Sequence, residues 1–286
     1  MSVVIISGIS IGIIYGLIAF GFSLVYRMTG VLNFAQGDLL VIGGLVGYTS
    51  YVIWNLSFAS SLLISALVVG LLMVLIERLA LRPVKYRVIP CVVITMGISF
   101  ILQNTAQLIW GKGGFSFPTV FGDIAKEVMG IRIVPQDVAV LVIGIAIVLS
   151  LSWFMSKTKP GIAMRASAGD SEMALLTGIN VYRSNTLAFF ISGMLSGIAG
   201  VLMAPITFLT ATLGTSMAIV GFVAALLGGL GNLVGAVVGG LVLGTVEVLA
   251  GTYLTASYRL LIVYAFLSAV LILKPSGLFG DARGDS

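Results

Sequence analysis

Few residues with hydrogen-bonding or acid-base capacity stand inside the apolar stretches of this chain, and they fall into small groups. Asn33, Gln36 and Asp38 follow shortly after Arg27, in the segment Gly30-Val31-Leu32-Asn33-Phe34-Ala35-Gln36-Gly37-Asp38. Gln103, Asn104 and Gln107 lie together, with Gln103 and Gln107 one helical turn apart. Asn232 sits in a glycine-rich break, and Glu247 is the one acid well inside an apolar stretch of the C-terminal half. These amides and isolated carboxylates have no imidazole to work with, because the chain contains 0 His. That excludes Ser-His and Cys-His dyads, His-ligated zinc and imidazole proton relays. The single Cys91 allows neither an internal disulfide nor a Cys-rich metal site. We assign no catalytic and no metal-binding residue.

Polar groups at membrane depth are costly, so each needs a partner or a water-filled cavity. Asn33, Gln36 and Asp38 fit an interfacial loop and helix start, with Asp38 favourably near a helix N-terminus. They also fit a non-helical segment lining a conduction path, satisfied only against protein or water. Gln103, Asn104 and Gln107 either hydrogen-bond between helices or face a polar pathway. Glu247 either sits near the outer interface with Arg259 or Tyr253, or faces a cavity. These seven residues and Asn232 are the candidate lining of a translocation pathway.

The loop at about 156–185 carries a different signal. Pro160 breaks any continuing helix after Lys157 and Lys159, and Gly169-Asp170-Ser171-Glu172 reads as a helix start with acids in its first turn. Met173, Ala174, Leu175 and Leu176 supply an apolar body, and Gly178 ends it. Two turns of helix are marginal in water by themselves. This helix exposes Met173, Leu175 and Leu176, so it is expected to dock, either on a cytoplasmic partner or within its own chain.

The elements that position these groups are membrane spans. Of 286 residues, 59% are hydrophobic and 9% charged, against about 25% charged in an ordinary globular domain. With a mean hydropathy of +1.18, the chain has too little polar surface for a water-exposed body. Residues 1–26 read as a retained span, since no basic segment precedes them as in a secretory signal. Further runs of spanning length cover about 37–55, 58–77, 88–109, 136–155, 186–206, 216–251 and 258–273. The run 216–251 is too long for one crossing and is broken at Gly228-Gly229-Leu230-Gly231-Asn232. It reads as two spans or a re-entrant hairpin, giving about eight transmembrane helices, possibly nine.

The net charge of +5 resides in short loops and points to membrane topology, not to nucleic acid. With the N-terminus outside, eleven of the 15 basic residues fall on the cytoplasmic side: Arg27; Arg78, Arg82, Lys85 and Arg87; Lys157, Lys159, Arg165 and Arg183; Lys274 and Arg283. Lys112, Lys126, Arg132 and Arg259 stay outside, beside Asp123 and Glu127. The bias predicts an N-outside, C-inside chain forming one all-α, polytopic membrane domain over 1–286. The 36 glycines include pairs spaced for close helix contact: Gly12 with Gly16, Gly193 with Gly197, Gly231 with Gly235, Gly235 with Gly239, and Gly240 with Gly244. Two denser clusters, 30–44 and 228–244, each contain an amide and suggest internal repeats with broken helices.

At these residues the chain resembles a known family. Glu172-Met173-Ala174-Leu175-Leu176-Thr177-Gly178-Ile179 is similar to the Glu-Ala-Ala-x-x-x-Gly loop of permease subunits in ATP-binding-cassette importers, with Met173 replacing the first alanine. Tyr26 to Asp38, Glu77-Arg78 to Arg82-Pro83, Met164-Arg165-Ala166, Gly178-Ile179-Asn180, 228–240 and Lys274 to Gly280 resemble the branched-chain amino acid permease family, in its shorter, LivH-like branch. The resemblance runs from about residue 8 to 280. It implies a permease subunit for branched-chain or hydrophobic amino acids in a bacterial inner membrane. Its implied partners are a homologous second permease subunit forming a heterodimer, two cytoplasmic ATPases and an external substrate-binding protein. ATP and Mg belong to the ATPases, and this chain has no Gly-x-x-x-x-Gly-Lys-Ser/Thr motif. Asp170, Glu172, Met173, Ala174, Leu176 and Gly178 would form the coupling helix. Many members carry His at position 36 and Glu at 38, where this chain has Gln36 and Asp38, and relatives also carry urea, short amides and other small solutes. The rival class, an ATP-independent channel or secondary transporter, explains the amides and glycines equally well but not a short cytoplasmic helix with exposed leucines.

Overall fold

The computed structural model describes residues 2–122, 126–128, 131–253, 259–274 and 276–280. Asp123, Pro275 and Arg283 lie outside the described residues, as do the side chains of Lys126, Glu127, Arg132 and Arg259. The helices are α1 (Ser2–Thr29), α2 (Gln36–Tyr48), α3 (Phe58–Ile76), α4 (Val88–Trp110), α5 (Pro135–Lys157), α6 (Lys159–Gly169), α7 (Ser171–Leu176), α8 (Val181–Met203), α9 (Leu213–Gly228), α10 (Leu233–Tyr253) and α11 (Arg259–Leu273). Between α4 and α5 a small antiparallel hairpin, β1 (Lys126–Val128) and β2 (Ile131–Ile133), places Glu127 opposite Arg132. The expected all-helical membrane fold is present, with this hairpin as a loop feature.

Among the described residues six helices, α1, α3, α4, α5, α8 and α10, are long and apolar enough to cross a membrane. The run read as a span at 37–55 is divided differently from the expectation, whereas the run 216–251 breaks at its glycine cluster as expected. α2 has only 13 residues before a π-helical turn at Thr49–Ile53. α9 has 16 residues and ends at the glycine turn from which α10 departs. Gly229 and Gly231 take φ values of 98° and 84° there, conformations that favour glycine because no Cβ clashes.

The core is organised around α1 and α8. α1 runs against α10 with almost no side chain between the backbones: a Cβ on Gly12 would lie 2.7 Å from Leu241 Cα, and one on Gly8 3.0 Å from Thr245 Cα. In lipid such seams give van der Waals contact where no water-driven burial separates one apolar helix from another. Gly193 and Gly197 bring α8 onto α3 in the same way, with Val69 O and Ser65 O each 2.7 Å from the respective added Cβ. Gly231 departs from its expected helix-contact role, because it lies in the turn and not on a helix face.

The loops assigned to one face by charge do gather at one end of the bundle. Arg27, Arg165 and Asn232 line a common cleft. The Arg82 guanidinium lies 4.6 Å from the Tyr182 ring centre, and Lys274 Nζ donates to Leu278 O at 2.6 Å. We refer to this as the basic end. At the opposite end Ser7 Oγ donates to the Asp137 carboxylate, and the Phe115 and Leu209 backbones exchange hydrogen bonds of 2.9 and 3.1 Å.

Candidate translocation site and loop helix

Two helix starts meet inside the bundle. After α1 ends at Thr29, the chain turns through Gly30 and re-enters the protein over residues 31–35 before α2 begins. After α8, it turns near Pro205, pairs Leu209 with Phe115 and enters α9 at Leu213. The two N-terminal turns touch: a Cβ on Gly214 would lie 2.8 Å from Asp38 Cα, and one on Gly37 2.9 Å from Ala218 Cα. Only glycine at both positions lets the helices approach so closely.

Two polar clusters close this junction. Gln36, fully buried, places Nε2 2.7 Å from Ser196 Oγ and 2.9 Å from Ser192 Oγ, and its Oε1 accepts from Ser192 Oγ at 3.2 Å and Asn33 Nδ2 at 3.3 Å. Ser192 and Ser196 stand roughly 16–23 Å along α8 from its first residue at 1.5 Å per residue, so the network lies near mid-helix. Asn33 Oδ1 accepts from Ala35 N at 3.2 Å, the local turn that starts α2, and Phe34 N donates to Thr95 Oγ1 at 3.3 Å on α4. Non-helical backbone at this depth is tolerated because protein surrounds it. Asp38, in the first turn of α2, accepts at Oδ1 from Gln103 Nε2 at 3.0 Å. The same Nε2 lies 2.9 Å from Thr215 Oγ1 and 3.3 Å from Ser99 Oγ. Two polar clusters therefore flank the first turn of α2: Asn33 and Gln36 with the buried α8 serines, and Asp38 with a half-buried Gln103 and an exposed Thr215, the second reaching the molecular surface between α4 and α9.

The structure pairs Asn33 with Gln36 and Asp38 with Gln103 at the first turn of α2 and separates the other four candidates from them. Asn104 is exposed and turned back on its own helix, donating to Phe100 O at 2.7 Å. Consecutive residues on a helix face different ways, so it could not share the site with Gln103. Gln107 is half-buried one turn further along, toward the opposite end. Asn232 lies at the basic end, where Oδ1 accepts from Gly235 N and Nδ2 donates to Phe279 O, both at 2.9 Å. It caps α10 and fastens the C-terminal segment. Glu247 is buried on α10, one turn beyond the Gly244 that packs on α1, and so belongs to a different helix pair.

The segment that meets 30–44 is the start of α9, while the 228–232 cluster is a turn at the basic end. Sequence reading missed Thr95, Ser99, Ser192, Ser196 and Thr215. Ser192 and Ser196, one turn apart on α8, were a usable signal, but they are interleaved with Gly193 and Gly197 and read as part of a packing face.

The loop helix has the expected form. Asp170 caps α7, accepting from Glu172 N at 2.9 Å and Met173 N at 3.0 Å, and Gly178 takes φ 82° beyond its end. Ala174 is buried against the protein, while Met173, Leu175 and Leu176 are 61%, 55% and 83% exposed. The segment 159–169, read only as a loop after Pro160, is the helix α6. Thr158 caps it and Pro160 occupies its first turn, where a missing N–H costs nothing.

Glu77 is buried and accepts from Tyr86 Oη at 2.5 Å and Thr186 Oγ1 at 3.1 Å, tying the α3–α4 connection to α8. Burial, reinforced by the Glu77 carboxylate, pushes the Tyr86 hydroxyl well above the ordinary phenol value.

Residues 4–273 match the family model described as branched-chain amino acid transport system, permease component. The chain is 31% identical over 289 residues to the high-affinity branched-chain amino acid transport system permease protein LivH of Salmonella typhimurium, covering 96% of this chain and 94% of that one. It is 30% identical over 292 residues to BraD of Pseudomonas aeruginosa, with the same two coverages of 96% and 94%. Among solved structures, PsaBC from Streptococcus pneumoniae in complex with Fab shares the fold, with a TM-score of 0.51 and 17% identity over 96% of this chain and 92% of that one. The chain belongs to the branched-chain amino acid transport permease family and is a multi-pass membrane permease component of a transport system.

Proposed function

We propose that this chain is one permease subunit of an ATP-binding-cassette importer for branched-chain or other hydrophobic amino acids in a bacterial inner membrane. It forms half of a translocation pathway with a homologous second subunit. Two cytoplasmic ATPases hold the ATP and Mg, and an external binding protein delivers the solute. The N-terminus lies outside and the basic end faces the cytoplasm, where loop Lys and Arg residues are favoured.

The observation that carries this reading is α7. A helix of six residues does not persist for its own sake. Here Asp170 caps it, Ala174 seats it on the protein, and Met173, Leu175 and Leu176 project outward at the basic end. That is the form of a lever that docks in a groove on an ATPase. ATP-driven closure of the ATPases would displace α7, and α6 and α8, which flank it, would carry the displacement into the bundle. A ligand-driven shift needs contacts that differ between two states, and the docked lever supplies them. The pathway side is the α4–α9 surface, where Gln103 and Thr215 connect the exterior to the buried Asp38.

The test is uptake by vesicles containing the assembled importer. Glu172→Lys combined with Ala174→Trp is expected to abolish uptake while ATP hydrolysis continues without control by the solute-loaded binding protein. Undiminished coupled uptake would overturn the coupling role. Uptake by this chain alone, without ATP or partners, would establish the channel reading instead, and uptake of urea or a short amide but no amino acid would replace the substrate.

A further inference from the structure

We infer that Asp38 is the group that receives the ammonium of the transported amino acid, with the first turn of α9 receiving its carboxylate. The inference rests on the proposed amino acid importer and deepens it at the same site.

Asp38 is 2% exposed, and its Oδ1 accepts from the neutral amide of Gln103. Its other oxygen, Oδ2, is buried and receives no hydrogen bond from any described residue, although the Ser99 hydroxyl stands near the carboxylate. A carboxylate left half-satisfied at membrane depth is costly, and a purely structural N-terminal acid would be expected to use both oxygens. What holds it there is the meeting of the α2 and α9 N-termini, whose partial positive charge favours an anion. The arrangement lacks a donor with positive charge, which an α-ammonium group supplies.

The second half of the site is beside it. Thr212, at the start of α9, makes no side-chain cap; Leu213 N donates to Thr210 O at 3.1 Å, and no described side chain takes the N–H groups of Gly214 and Thr215. Gly214 packs on Asp38, and the exposed Thr215 and Ser216 follow it. Uncapped N–H groups at a helix start are a carboxylate site. An α-amino acid carries its two charges on adjacent atoms of one small head group, matching an anion and a helix N-terminus in contact. Below this point, toward the basic end, the surface turns apolar: Ile219 is exposed one turn along α9, followed by the Phe34–Phe222 pair with ring centres 6.0 Å apart. That order, zwitterion site first and aliphatic wall beyond, fits a hydrophobic side chain pointing toward the basic end. Gln103, half-buried and shared between Asp38 and Thr215, must swing aside for the solute to reach Oδ2.

The experiment uses the assembled importer in vesicles, with leucine as probe and uptake normalised to assembled complex. Asp38→Asn is expected to lower leucine uptake at least tenfold, and Asp38→Glu to recover part of it. An Asp38→Asn importer with wild-type uptake would overturn the inference and leave the proposed function standing. Failure of the unmodified importer to take up any aliphatic amino acid would remove the function first. A second measurement does not depend on the folding of an Asp38 variant. The single native thiol, Cys91, is buried, so Thr215→Cys supplies one accessible site. Leucine is expected to slow its labelling by a thiosulfonate at least threefold, and 4-methylpentanoate, which lacks the ammonium, to have no effect. Equal protection by both compounds, or none by leucine in an importer that transports it, would overturn the inference.

Discussion

The buried junction around Gln36 and the exposed helix α7 are opposite departures from ordinary burial. At the junction, polar side chains are enclosed: Asn33, Gln36, Ser192 and Ser196 saturate one another between α2 and α8. On α7, apolar side chains face outward: Met173, Leu175 and Leu176 are each more than half exposed among the described residues. The difference shows where each region finds what it needs. A buried amide must be satisfied within the fold, because leaving it alone in a low-dielectric interior costs more than its hydrogen bonds return. An exposed leucine on a short capped helix needs a surface from elsewhere. The first region is built for internal precision, the second for contact with another protein.

Three substitutions test this contrast. The largest effect is expected from Leu176→Asp. The side chain is solvent-exposed, so the isolated permease should keep its melting temperature, since surface changes away from special features usually stay within about 0.5 kcal/mol. Coupled uptake should nevertheless fall at least tenfold, with weaker retention of the ATPases on purification. A destabilised permease with normal uptake would reverse the roles of the two regions. Gln36→Leu should behave in the opposite sense. It keeps the volume but strands the hydroxyls of Ser192 and Ser196, lowering permease stability by about 1–3 kcal/mol, read as a lower melting temperature in detergent.

The smallest effect concerns Tyr86, which with Glu77 and Thr186 ties the α3–α4 connection to α8. Its hydroxyl titrates higher in the folded protein than the ordinary value of 10.0. The folded state therefore holds this proton more tightly than the unfolded chain. The stability it contributes is fully present below pH 10 and is lost as pH rises from there toward the raised folded value. Melting curves across that alkaline window should show the loss in the unmodified permease and a reduced slope in Tyr86→Phe. An unchanged slope would remove Tyr86 from the linkage between the α3–α4 connection and α8.

Much of this molecule was legible in the chain because membranes impose simple rules. The apolar runs predicted α1, α3, α4, α5, α8 and α10, and the Lys and Arg residues predicted which loops share an end. The loop helix was readable down to its cap, because Asp170 and Gly178 act on backbone groups a few residues away. Local chemistry of that kind needs no knowledge of distant contacts. The Asn33 to Asp38 group was also legible, as polar residues out of place in an apolar context. Asn104, Asn232 and Glu247 have the same signal and were grouped with them for that reason.

Sequence by itself determined the membrane setting, the family, the charged end and the capped helix, since each follows from composition, short-range spacing or a resemblance along the whole chain. Tertiary structure alone decided which polar residues meet. Gln103 reaches Asp38 while its neighbour Asn104 faces outward, because a helix turns about 100° per residue and only the packing of α4 fixes its phase. The broken start of α9 became visible only when Gly214 was seen against Asp38. Such contacts join residues far apart in the chain, and no local preference of either segment specifies them.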